Sequence, residues 1–207
     1  MLYSLVATLL SPCAWWGRAR IRGPERVPGR GPVLVVPNHD SQWDPVVVGV
    51  MLRRRRQLRF LARANLWKIP GLGPILDGLH QIPVERGTHD ERALSNAIAA
   101  LRSGQAVCVF PEGRLSRGQP LPAHRGAGRL AQAVPEAQVV LCAITGTADY
   151  VRFPRRPRVT LTLFEPVGEG DRSSHDAREL ASRWLAQIRE VAPPQPAGRS
   201  ASRARPS

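Results

Sequence analysis

Short apolar runs of strand length recur along the chain, and they limit its fold more than any other feature. VLVVP (33–37), LRFLA (58–62), HQIPVE (80–85), QAVCVF (105–110), VVLCAI (139–144) and RVTLTLF (158–164) each read as a strand. Helical patterns separate them. Residues 44–55 read as a helix running into Arg53-Arg54-Arg55-Arg56. Thr88 and Glu91 have capping-box spacing and would open a helix with Leu94, Ala97, Ile98 and Leu101 on one face, stopped by Gly104. Residues 126–133 look helical, and Ser174 would cap a last helix carrying Leu180, Trp184, Ile188 and Val191 on one face. Strands alternating with helices predict an α/β fold, a sheet with helices packed over it.

The chain has 207 residues, enough for one domain with small appendages. Its 18 glycines and 20 prolines follow no repeat, which excludes collagen-like and solenoid folds. Three cysteines cannot build a disulfide framework. Thirty basic residues face sixteen acidic ones, for a net charge of +14. Lys68 is the sole lysine, so the excess is guanidinium, which forks onto phosphate. That balance points to polyanions, either nucleic acid or an anionic lipid surface.

Both ends of the chain differ from its middle. Residues 2–16, LYSLVATLLSPCAWW, are uncharged, and Arg18, Arg20 and Arg22 follow. A secretory signal has the reverse order, with positive charge before the apolar stretch. The stretch falls short of the ~20 residues that span a bilayer but can lie in its interface. Trp15 and Trp16 suit the headgroup boundary, so residues 1–22 are expected to form an N-terminal membrane-interface helix. Residues 193–207 lack any large apolar side chain and are expected to be a disordered tail, which leaves 23–192 as the folded domain.

The strand VLVVP runs into Asn38-His39-Asp40-Ser41-Gln42-Trp43-Asp44-Pro45. Open α/β sheets place their sites just past strand ends, where His39 stands. On an ideal helix, side chains five residues apart point roughly 140° apart, so His39 and Asp44 meet only if the chain is still turning after His39. Pro45 suits the first turn of the helix that follows. An aspartate bonded to one imidazole nitrogen would fix the tautomer and leave the other free to take a proton. A lone histidine beside a helix-capping aspartate fits the same residues, and on composition alone that reading is favoured.

No GxSxG elbow is present, Ser41 lies too close to His39 in sequence, and Cys13, Cys108 and Cys142 sit in apolar runs where thiols are inert. A base without a nucleophile implies that the substrate's own hydroxyl attacks. FPEGRLS (110–116) follows another strand; Gly113 permits close backbone approach and Arg114 offers a phosphate fork. IPVER (82–86) puts Arg86 at a third strand end. Each of these also fits a surface turn with a solvated arginine.

Taken together, NHDSQWDP, IPVER and FPEGRLS, in this order, resemble the first three blocks of the 1-acylglycerol-3-phosphate acyltransferase family, and VVLCAITGT (139–147) resembles the fourth. FLARANLWKIPGLGPILDGLHQIPVERG and HRGAGRLA are similar to the family's intervening segments, so the likeness covers about residues 20–170. The resemblance implies a glycerolipid-acyltransferase-like mixed central sheet covered by helices. It implies His39 as general base and Asp44 as its orienting partner. It also implies Arg86 and Arg114 as phosphate contacts, and Glu112 and Gly113 as the acceptor site, with Glu112 bonding a glycerol hydroxyl. The reaction implied moves an acyl chain from acyl-CoA or acyl-carrier protein to the sn-2 hydroxyl of lysophosphatidic acid, with no metal and no bound cofactor.

Three positions depart from the family pattern. Arg114 stands one place early, with Leu115 in the usual arginine slot; His80 replaces a common glycine; Leu141 replaces a proline. The first leaves room for another lysophospholipid or a glycolipid hydroxyl as acceptor. A non-enzymatic basic protein binding lipid or nucleic acid is the remaining alternative. It ranks lower, because aromatics are 5% and no helix-turn-helix or zinc spacing is present, so no specific nucleic-acid partner is expected. The expected location is the cytoplasmic face of the cell membrane, held peripherally on anionic lipid.

Overall fold

The structure is a computed structural model and describes residues 2–85, 90–152, 156–168, 172 and 176–196. The chain opens with two short helices, α1 (Leu2–Leu9) and α2 (Ser11–Trp16). There follow β1 (Arg20–Arg22), β2 (Val33–Pro37), α3 (Asp44–Leu52), β3 (Leu58–Arg63), α4 (Leu72–Gly78) and β4 (Ile82–Val84). The second half comprises α5 (Glu91–Arg102), β5 (Ala106–Cys108), α6 (Gly126–Ala133), β6 (Gln138–Thr145), β7 (Thr160–Phe164) and α7 (Ala177–Val191).

The seven strands form one sheet in the order β1-β7-β6-β2-β5-β3-β4. β6 and β7 pair antiparallel and every other pair is parallel, so the sheet is mixed, as expected. β2 lies at its centre, buried along its whole length. Leu34 and Val36 point to one face with Val107, Val139 and Leu141, beneath α5, α6 and α7. Val33 and Val35 point to the other with Ala106, Val140 and Cys142, beneath α3. Both faces are covered, which is why these strands read as unbroken apolar runs instead of alternating ones. β7, nearer the edge, does alternate.

The structure differs from the sequence reading at several boundaries. The expected N-terminal helix is two helices. Pro12 has no N–H to bond back to residue 8, so helix α1 ends and α2 starts with Pro12 in its first turn. Residues 20–22 lie in the sheet, with Ile21 registered against Leu161, so the chain crosses the expected 22/23 boundary inside the domain. Strand β1 and helix α4 had no apolar run to announce them. Asp90, not Thr88, caps α5, accepting from the Ala93 N–H; Thr88 lies outside the described residues. Asp176 caps α7 through the Arg178 and Glu179 N–H groups, and Ser174 also lies outside the described residues. Val191, expected on the apolar face of α7, is exposed.

Of the expected tail, residues 193–196 are described. Gln195 Oε1 accepts a bond of 3.1 Å from the Gly146 N–H, and Pro196 lies against Gly118. No helix among the described residues is long and apolar enough to cross a membrane.

Helices α6 and α7 approach so closely that a side chain at Gly128 has no room. A Cβ there would stand 2.0 Å from the Ala177 carbonyl oxygen, at the start of α7. Gly128→Ala is therefore expected to destabilise the fold by about 1–3 kcal/mol, the usual cost of overpacking. A urea unfolding midpoint equal to wild type would show that α7 does not seat there.

Candidate active site

The site grows from the carboxyl ends of three adjacent strands, β5, β2 and β6. Beyond Pro37 the backbone leaves the sheet, and the Asn38 side chain takes over its pairing. Its Nδ2 donates to the Ile144 carbonyl at 2.9 Å and its Oδ1 accepts from the Ile144 N–H at 2.7 Å. The chain then turns through residues 39–43 before α3 starts at Asp44.

That turn brings His39 and Asp44 together. His39 Nδ1 lies 3.0 Å from Asp44 Oδ2. The same oxygen accepts from the Asp40 and Ser41 N–H groups, both at 2.8 Å, while Thr147 Oγ1 donates to Oδ1. An acceptor-only carboxylate leaves Nδ1 as the donor, so Nε2 of the neutral ring carries the lone pair. Nε2 has no protein partner among the described residues. Phe110 stacks on the imidazole with centroids 4.2 Å apart, which fixes the ring plane. Ser41 is occupied as a turn former, its hydroxyl accepting from the Trp43 N–H.

Glu112 is placed differently from expectation. It is buried, and its side chain faces the protein's own backbone. Oε2 accepts from the His39 N–H at 2.6 Å and Oε1 from Arg189 Nη2 at 2.5 Å. Burial pushes its carboxyl above the ordinary glutamate range, while the Arg189 and His39 donors pull it back down. The geometry therefore gives Glu112 protein partners where a glycerol hydroxyl was expected. Gly113 adopts φ +64°, with the His124 ring lying where a Cβ would stand. Arg114 is exposed and has no partner among the described residues. Arg86 lies outside the described residues.

Four contributors had gone unread: Asn38, Ser116, Thr147 and Arg189. Ser116 donates its N–H to the His39 carbonyl at 2.8 Å and its hydroxyl to Asp40 Oδ1. Arg189 grips both oxygens of Asp40, at 2.9 and 2.8 Å. Burial would lower its pKa, but the bonds to Asp40 and Glu112 outweigh that and raise it. The one available signal for Arg189 was its place on the apolar stripe of α7, four residues after Leu185. Cys108 and Cys142 are buried and burial pushes both thiols up, so neither offers a thiolate.

Comparison with known proteins identifies the family. The Acyltransferase family model matches residues 18–145, a span that includes His39, Asp44 and Glu112 but stops short of Thr147 and Arg189. The 1-acyl-sn-glycerol-3-phosphate acyltransferase of Bacillus subtilis (strain 168) is 24% identical over 155 residues, covering 75% of this chain and 76% of that protein. The lyso-ornithine lipid O-acyltransferase of Pseudomonas aeruginosa is 29% identical over 154 residues, covering 73% of this chain and 54% of that one. The crystal structure of PlsC, the 1-acyl-sn-glycerophosphate acyltransferase of Thermotoga maritima, superposes with a TM-score of 0.71 at 25% identity, covering 91% of this chain and 79% of that chain. With a histidine and an aspartate joined at the end of the central strand and the family model spanning most of the sheet, the chain belongs to the acyltransferase family.

Proposed function

We propose that the chain transfers a fatty acyl group from acyl-CoA or acyl-carrier protein to the sn-2 hydroxyl of 1-acylglycerol-3-phosphate, giving phosphatidic acid. The observation that carries this reading is the 3.0 Å contact from His39 Nδ1 to Asp44 Oδ2, with Nε2 unpartnered among the described residues. The Bacillus relative and the Thermotoga structure support the choice of acceptor.

In this mechanism His39 Nε2 takes the proton of the acceptor hydroxyl as its oxygen attacks the thioester carbonyl carbon. The new C–O bond forms, the C–S bond breaks, and the proton returns from His39 to the departing thiolate. Asp44 steadies the imidazolium between the two transfers. A general base of this kind contributes roughly 10²–10⁴ in rate. The exposed guanidinium of Arg114, on the turn after β5, would meet the acceptor phosphate, and Arg86 would share that role. Glu112 acts here by holding the His39 backbone.

His39→Ala is expected to lose transfer by about 10²–10⁴-fold while its unfolding midpoint stays near wild type. Turnover within tenfold of wild type would remove His39 from the mechanism.

A second acceptor class is favoured by two observations. Leu115 stands where the family carries its arginine, and a relative at 29% identity acts on a lyso-ornithine lipid. An acceptor panel with one fixed acyl-CoA decides between the classes. The proposal expects kcat/KM for 1-acylglycerol-3-phosphate to exceed that for lyso-ornithine lipid and other lysophospholipids at least tenfold.

Peripheral attachment to an anionic membrane completes the proposal. Leu2, Leu5 and Leu9 are 40%, 57% and 69% exposed and recur at helical spacing on one side of α1; Trp15 on α2 is 71% exposed. Arg156 stacks 4.6 Å over Trp15, and Arg18 is exposed beside it. Tyr3 points the other way and bonds the Gly49 carbonyl of α3, so deleting the segment would also disturb the fold. The variant Leu5→Gln/Leu9→Gln/Trp15→Gln changes only the exposed face. It is expected to stop co-sedimenting with anionic phospholipid vesicles while melting like wild type; undiminished binding would place the contact elsewhere.

A further inference from the structure

We infer that Arg189, on the last helix, is a positioning residue for the His39 base, acting through Glu112 and Asp40. The inference rests on the reading of His39 as the base and deepens it.

The donors and acceptors around His39 converge on one side chain. The His39 N–H is held by Glu112 Oε2 and its carbonyl by the Ser116 N–H. Both holders lead back to Arg189. Glu112 bonds Arg189 Nη2 through its other oxygen, and Ser116 bonds Asp40, which takes Nη1 and Nη2 together. The side chains of Asp40 and Glu112 are 2% and 0% exposed, and that of Arg189 only 13%. The guanidinium also donates to the Ala192 carbonyl, which fixes it from the far side. A planar fork can bridge two carboxylates at set angles, whereas an ammonium group is a single point. Asp40 follows His39 directly and Glu112 lies on another strand end, so the fork sets where the β2 and β5 turns stand relative to each other. His39 hangs between them. A shift of about 1 Å at a reacting group costs on the order of 100-fold in rate.

The test compares wild type, Arg189→Lys and His39→Ala, measuring kcat, KM for both substrates, melting temperature and the ¹⁵N spectrum of the His39 ring. Arg189→Lys keeps the charge and loses the fork. It is expected to melt near wild type, to lose kcat by about 100-fold with both KM values within twofold, and to show the His39 nitrogens moving from single-tautomer toward averaged shifts. Unchanged kcat, or a loss confined to KM, overturns the inference. So does a kcat loss without any change in the ring spectrum. If Arg189→Lys does not fold, Glu112→Gln is read by the same signature and decides in the same way, because the amide keeps a single acceptor oxygen and can hold the Arg189 guanidinium or the His39 N–H but not link the two. An active His39→Ala would overturn the base assignment itself; an inactive one beside a fully active Arg189→Lys would overturn only the role of Arg189.

Discussion

A single buried carboxylate organises the carboxyl end of the central strands. Asp44 is fully buried and receives four bonds, from the His39 ring, from the Asp40 and Ser41 N–H groups, and from Thr147. A buried carboxylate costs several kcal/mol unless such donors meet it. The requirement therefore works in reverse as a constraint on the chain. Residues 40 and 41 must curl so that their N–H groups converge on Asp44, and that curl swings His39 back toward the first turn of α3. The Thr147 bond ties the same point to the end of β6, so the histidine is referenced to two strands and a helix.

The charge pattern around the histidine needs equal attention. Asp40 and Glu112 lie beside a group that becomes cationic during the proposed reaction. Left bare, either could compete with Asp44 for the imidazolium and rotate the ring. Arg189 occupies both, so among the described residues Asp44 remains the one carboxylate bonded to the ring. The arrangement is costly to disrupt from one side only. Removing the guanidinium would leave two buried carboxylates without a cation, a loss of about 3–5 kcal/mol per broken pair. This explains why a helix far along the chain, beyond the reach of the matching family model, is bound to the His39 turn.

The parts of this fold that were legible in the sequence are those dictated by burial. β2, β5 and β6 are covered on both faces, so their residues are apolar without interruption and announce themselves. β1 reads Arg-Ile-Arg, sits at the sheet edge and exposes both arginines, so it resembles a charged linker. Helix α4 carries Gly73, Pro74 and Gly78 and so shows a weak pattern. The pairing of His39 with Asp44 was legible because a strand end, a histidine and a Pro-started helix occur together. The duty of Glu112 was not, since a glutamate after a strand reads the same whether it faces a substrate or a backbone N–H. Only the fold could show that its partner was Arg189, 77 residues away. Caps were misplaced for a similar reason: Thr88 and Asp90, or Ser174 and Asp176, are equally suitable types within two residues, and backbone geometry selects between them.

The same turn that holds His39 also reaches the surface proposed to meet lipid. Trp43, the residue before Asp44, stacks on Tyr150 with ring centroids 5.2 Å apart. The Tyr150 hydroxyl donates to the Cys13 carbonyl of α2 at 2.6 Å, and burial pushes that phenol up to about 12. Gly17, where α2 ends, lies directly against the Tyr150 hydroxyl oxygen, leaving no space for a side chain. Helix α2, which carries the exposed Trp15, is thus connected to Asp44 through three contacts. On the proposed reading, an acceptor whose acyl chain stays among its neighbours in the membrane need present only its headgroup and hydroxyl to the site. A rigid path from the interfacial helix to the base then fixes the depth at which that hydroxyl is met. The chemistry calls for such a fixed depth, because attack on a thioester requires reacting atoms held within about 3–3.5 Å.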